Sequence, residues 1–109
     1  RTTSSAASDV YKRQLIIKPG KGMSLQKHFK RSEIWFVSEG KCCVNFHKND
    51  HSKIDEIPLN TFDTFSVKKE EWHQLFNPYK EECRIIEIQF GEENSEEDIV
   101  RIKYYDGNE

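Results

Sequence analysis

Short apolar runs recur along the chain at regular intervals, most of them alternating with polar residues, and turn-forming residues separate them. That pattern predicts strands rather than helices. Val10–Lys18 is the first, ended by Pro19-Gly20, and Met23–Phe29 follows. In the second, Met23, Leu25, Lys27 and Phe29 share one side and Ser24, Gln26 and His28 the other. Ser32–Ser38 is nearly continuous in apolar character, which predicts a central strand. Cys42–His47, Lys53–Leu59 (with Ile54 and Ile57 inward), Thr64–Val67 and Trp72–Phe76 come next, the last stopped by Asn77-Pro78. Glu82–Phe90 is the longest, and its Ile86-Ile88-Phe90 side is expected to face the core. Ser95 to Asp98 reads as one capped helical turn, and Ile99–Tyr105 as a closing strand. Eight or nine short strands without an amphipathic helix make an all-β sandwich or barrel, a jelly roll among the options. No repeat or internal domain boundary is visible.

Composition narrows this further. The 109 residues suffice for one modest core; with 35% apolar and 33% charged residues, that core must lean on its seven Phe, four Tyr and two Trp. Residues 1–9 contain a small, polar stretch unlike the rest and are read as a disordered or non-native tail, leaving 10–109 as a single domain. A formal net charge of −2 gives no global attraction for nucleic acid or an anionic membrane. A local basic group, Lys27, Lys30 and Arg31, suits a small anionic ligand instead. No run approaches the roughly 20 apolar residues of a membrane helix. The cysteines number three and two are adjacent, so Cys42, Cys43 and Cys83 are expected to be reduced strand residues of a cytoplasmic protein.

Candidate chemistry concentrates between Gly20 and Gly40, where Gln26, His28 and Glu33 each offer nitrogen or oxygen to a metal. Gln26 and His28, two apart on a strand, face one way. His73, in Glu-Trp-His-Gln-Leu-Phe-Asn-Pro, is the natural fourth candidate. Each taken alone is more simply a surface or hydrogen-bonded residue; their joint occurrence carries the idea. His47 and His51 lie in or beside a polar turn and read as solvated, Trp35 and Trp72 as core wall.

The order Gly20, Gln26, His28, Glu33, Gly40 resembles the first motif of the cupin superfamily, with Gln in place of the first His. Phe62-Asp63 through Trp72-His73 to Asn77 resembles the second. Within cupins the chain is most similar to the C-terminal domain of type II mannose-6-phosphate isomerases. The matching pieces are Lys18-Pro-Gly, Ser24-Leu-Gln-x-His28, Arg31-Ser-Glu-x-Trp35, His73-x-x-x-Asn-Pro78 and Glu97-Asp-Ile-Val-Arg101.

The resemblance implies a cupin-type double-stranded β-helix, a jelly-roll barrel. It implies Gln26, His28, Glu33 and His73 as ligands of one divalent ion (Zn, Mn, Fe, Ni or Co), and a sugar phosphate or similar anion as the small-molecule partner. Arg31 and Arg101 become substrate-binding or catalytic candidates, with Lys30 nearby. Arg31 reads equally as a surface salt bridge and Arg101 as an anchor of the last strand. By analogy the assembly is a homodimer. The implied activity interconverts aldose and ketose phosphates; the alternative is a non-enzymatic cupin that binds a sugar or another small ligand. Three positions depart from the family: His28-Phe29-Lys30 replaces a run of three histidines, Lys68 and Glu70 replace a Pro and a Gly, and Asp106-Gly107-Asn108 replaces Tyr-Gly-Arg.

Overall fold

The computed structural model describes residues 10–47, 54–91 and 99–103, the last by backbone alone. The strands are β1 (Val10–Ile17), β2 (Leu25–His28), β3 (Arg31–Glu39), β4 (Cys42–His47), β5 (Asp55–Leu59), β6 (Thr64–Val67), β7 (Trp72–Phe76), β8 (Cys83–Gly91) and β9 (Ile99–Lys103). They form two antiparallel sheets, ordered β1-β8-β3-β6 and β5-β4-β7-β2-β9. That is the jelly-roll arrangement of a double-stranded β-helix, and no helix occurs among the described residues. The predicted helical turn at Ser95–Asp98 lies outside them.

Turn chemistry sets most boundaries. Gly40, at φ 77°, makes the tight β3–β4 reversal. Asn77 sits fully buried after β7 and donates through Nδ2 to the carbonyls of Ile17 (2.9 Å) and Glu81 (2.7 Å). Its Oδ1 accepts from the Tyr79 amide at 2.9 Å, so one side chain ties β1 to the β7–β8 turn. The second strand is shorter than predicted at its start. Gly22 instead bridges Phe76, where a Cβ would come within 2.6 Å of the Phe76 Cβ.

The apolar core lies between the sheets. Ile17, Val37, Cys42, Val44, Leu75, Cys83 and Ile85 are among its buried members. Ile54 and Ile57, expected inward, are half-buried at the rim. Lys27, the odd charge in an apolar row, lies 4.9 Å from the Trp72 ring centroid and 5.1 Å from that of Phe29. Cation–π contact and a buried stem make a lysine compatible with that row.

Two expectations are corrected. The inward side of β8 is Cys83-Ile85-Glu87-Gln89, not Ile86-Ile88-Phe90. Ile86 and Phe90 are 40% and 37% exposed, whereas Glu87 is 0%. Hydrophobicity pointed the wrong way because the barrel interior carries a polar site at one end, while the outer sheet face is apolar. The second correction concerns the thiols. Cys42 opens β4 and Cys83 opens β8, and the two pair as a disulfide across the sheets with Cα atoms 5.9 Å apart. A separation of 41 residues left no trace of this in the sequence pattern. Cys43 is the free, buried cysteine, 3.5 Å from the Tyr79 hydroxyl.

Candidate metal centre

Strand alternation delivers each site residue. On β3, Arg31, Glu33, Trp35 and Val37 point inward, and register sets Glu33 opposite Gln89, Trp35 opposite Glu87 and Val37 opposite Ile85. The lining therefore grades from apolar at one end to polar at the other. From the facing sheet, β2 contributes Gln26 and His28, and β7 contributes His73, paired in register with Gln26.

The structure brings His28, Glu33 and His73 together. One ligand atom from each lies within 4.8 Å of the others, and all three residues are buried. His28 Nε2 is 3.1 Å from Glu33 Oε2, and His73 Nε2 is 3.9 Å from Glu33 Oε1. Donors that share one first-row ion at about 2.1 Å stand about 3–4 Å apart, so only a small closure separates this cluster from a binding geometry. His73 Nδ1 donates to the Glu71 carbonyl at 2.9 Å, which leaves Nε2 as the lone-pair nitrogen facing the cluster.

Electrostatics favour the same reading. Burial holds the His73 imidazole down from 6.5 to about 4, against the pull of Glu33 and the Glu71 carbonyl. Burial pushes the Glu33 carboxyl upward, but the hydrogen bond with His28, the charge of His73 and contact with Glu87 outweigh it and bring it to about 2. At neutral pH the pair is an ionised carboxylate beside a neutral imidazole, the protonation states a cation requires. His28 Nε2 touches an acceptor, Glu33 Oε2, and a donor, Arg31 Nη2 at 3.2 Å. One ring nitrogen satisfies only one of them at a time. A divalent cation would take the Nε2 lone pair and the carboxylate together, and a buried set of two imidazoles and a carboxylate fits one.

Gln26 is buried beside this cluster, with Nε2 donating to the Ser24 carbonyl (3.2 Å) and hydroxyl (3.3 Å), so its amide oxygen is the atom left to offer. Arg31 is not on the surface: it is 2% exposed, with Nε 3.5 Å from Glu33 Oε2. Lys30 is exposed in the β2–β3 turn and lies outside the buried cluster. Arg101 stands on β9 opposite Gln26 in backbone register; its side chain lies outside the described residues.

Two polar residues went unnoticed in the sequence. Glu87 is buried, and burial together with Glu33 raises its pKa. It pairs with Arg13 Nε at 2.6 Å and accepts from Gln89 Nε2 at 2.8 Å. The available signal was Glu87-x-Gln89, two polar residues set among Ile85, Ile86, Ile88 and Phe90.

Comparison with known proteins identifies the family and the fold. The family model described as mannose-6-phosphate isomerase C-terminal matches residues 3–104. A mannose-1-phosphate guanylyltransferase of Sinorhizobium fredii is 35% identical over 104 residues, covering 89% of this chain and 18% of that protein. The alginate biosynthesis protein AlgA of Pseudomonas putida is 32% identical, covering 84% and 18%. The chain thus spans under a fifth of the length of these relatives. Among solved structures, the capsular polysaccharide assembling protein CapF of Staphylococcus aureus superposes with TM-score 0.74 at 18% identity, covering 84% of this chain and 26% of that one. Oxalate oxidase bound to glycolate gives 0.72 at 21%, covering 85% and 46%. A Klebsiella pneumoniae protein with a double-stranded β-helix domain gives 0.69 at 15%, covering 87% and 76%. The fold is that of the cupins, and the chain belongs to the mannose-6-phosphate isomerase C-terminal family.

Proposed function

We propose that this domain binds one divalent cation through His28, Glu33 and His73, completed by Gln26, and interconverts aldose and ketose sugar phosphates such as mannose 6-phosphate and fructose 6-phosphate. The observation that carries the reading is the convergence of two imidazoles and a carboxylate within 4.8 Å inside a barrel. An ion held by Gln26, His28, Glu33 and His73 would supply Lewis-acid polarisation of the sugar oxygens. The chain's own residues hold the ligand set and exclude water. Arg31 balances the Glu33 charge from within, and Arg31, Arg101 and Lys30 are the substrate-binding or catalytic candidates.

A second reading is a non-enzymatic cupin that takes a sugar or similar ligand. It is favoured by Arg31, whose guanidinium is engaged by His28 and Glu33, and by a C-terminal Asp106-Gly107-Asn108 in place of the family's Tyr-Gly-Arg. We assign the assembly to a homodimer. The exposed Val10, Ile16, Ile86 and Phe90 of the β1–β8 outer face support it.

Metal analysis of purified protein, followed by an isomerase assay with excess Mn²⁺, Co²⁺ or Zn²⁺, tests the proposal. Turnover by the loaded protein supports the first reading; a loaded but inactive protein supports the second. His28→Ala and His73→Ala should each lose the ion while staying folded, and stoichiometric metal in both would sink the site.

A further inference from the structure

Behind Glu33 lies a chain of contacts that the metal reading does not use. Trp35 Nε1 stands 3.0 Å from Glu33 Oε1 and 3.2 Å from Glu87 Oε2, so one indole N–H is shared by two buried carboxylates. Glu87 is itself fixed from the far side by Arg13 Nε at 2.6 Å and by Gln89 Nε2 at 2.8 Å. The Trp35 ring also meets His73 edge-on, with centroids 5.7 Å apart and planes at 65°. Backbone register enforces the set, since Trp35 faces Glu87 across β3–β8 and Arg13 faces Glu87 across β1–β8.

Such an arrangement has an energetic consequence. A glutamate side chain has three rotatable bonds, and freezing them on cation binding costs conformational entropy. A fixed N–H that holds one carboxylate oxygen removes that cost beforehand. We propose that Glu87, braced by Arg13 and Gln89, is a positioning residue that aims the Trp35 N–H at Glu33 and so presets the carboxylate for a divalent cation. The inference rests on the metal reading above but concerns residues that would not touch the ion.

Cobalt(II) titration of the full chain tests it, read by dissociation constant and by the visible d–d bands, with urea melts in chelator as the folding control. Glu87→Leu and Trp35→Phe should weaken Co²⁺ binding about tenfold or more and shift the bands. Glu87→Gln keeps an oxygen that accepts the indole N–H, and should stay within about threefold of the wild type with unchanged bands. Arg13→Gln, on the outer strand, removes one of the two braces and should weaken binding by a smaller factor. Wild-type affinity and bands in folded Glu87→Leu and Trp35→Phe overturn the positioning role. Should Glu87→Leu not fold, unchanged Trp35→Phe and Arg13→Gln overturn it equally. Loss in Glu87→Gln as large as in Glu87→Leu also overturns it, because charge alone would then be responsible. If the wild type takes up no Co²⁺, the metal reading itself fails and takes this inference with it; uptake by the wild type separates the two failures.

Discussion

Acidifying the metal-free protein should destabilise it through His73 before Glu33 contributes. His73 is buried and its imidazole titrates near 4 in the fold, against 6.5 when exposed. Between those values the unfolded chain binds a proton that the folded chain refuses, so stability rises with pH across the window and falls on acidification. From pH 7 to pH 4.5 the linkage relation gives a loss of about 2.4 kcal/mol for these two values. Glu33 acts in the same direction but lower, because a carboxylate held at about 2 loses its contribution as pH falls from 4.5 toward that value. It adds only about 0.4 kcal/mol over the same interval. The assay is urea denaturation of the wild type and His73→Gln at pH 7, 5.5 and 4.5, in chelator and without reductant. Subtracting the two series cancels the titrating groups that His73 does not interact with. The difference should grow by about 2 kcal/mol toward pH 4.5. Parallel pH profiles within about 0.5 kcal/mol would mean that His73 is not held neutral by burial, and the ligand-ready state argued above would lose its basis.

Three further outcomes follow from the structure. Glu70, where the family has Gly, sits at φ 65° with its amide donating to the His28 carbonyl at 2.7 Å; Glu70→Gly should stabilise the fold by about 0.5–1 kcal/mol in urea melts, the left-handed penalty less the glycine entropy. Asn77→Ala should cost about 3 kcal/mol by the same assay, since it strands the carbonyls of Ile17 and Glu81 and the amide of Tyr79. Reducing the Cys42–Cys83 disulfide, which closes a 41-residue separation, should lower stability by up to about 4 kcal/mol, read as a shifted urea midpoint with and without reductant.

What the sequence made legible divides along the strands. Boundaries were readable because backbone geometry demands particular residues: Gly40 for a positive φ, and Asn77-Pro78 for a stop. The cluster of His28, Glu33 and His73 was readable through spacing within strands plus a family pattern, and the structure brings all three within 4.8 Å. The facing of β8 was not readable. Alternation tells which residues share a side but not which side is inside, and here the more apolar row, Ile86-Ile88-Phe90, faces out. The Glu87–Trp35–Glu33 contact depends on β3–β8 register, and the Cys42–Cys83 pair on how the two sheets face each other, each across 41 or more residues. No local pattern encodes such register.

The same gradient explains how the barrel can hold a polar site at all. At the Arg31–Gln89 end, burial stabilises little, because charged groups there must find partners among themselves. They do so along one sheet: Arg31 with Glu33, Glu33 and Glu87 with Trp35, Glu87 with Arg13 and Gln89. At the other end, Val37 faces Ile85, Ile17 faces Cys83, the disulfide joins the sheets, and Asn77 anchors the turns. Packing and crosslinks at that end offset the cost of desolvating charge at this one. Because β3 and β8 run unbroken between the two ends, rigidity from the apolar half is transmitted directly to Glu33 and Glu87. A site built on such strands keeps its geometry without a ligand, whereas one built on the connecting loops would have to acquire it on binding.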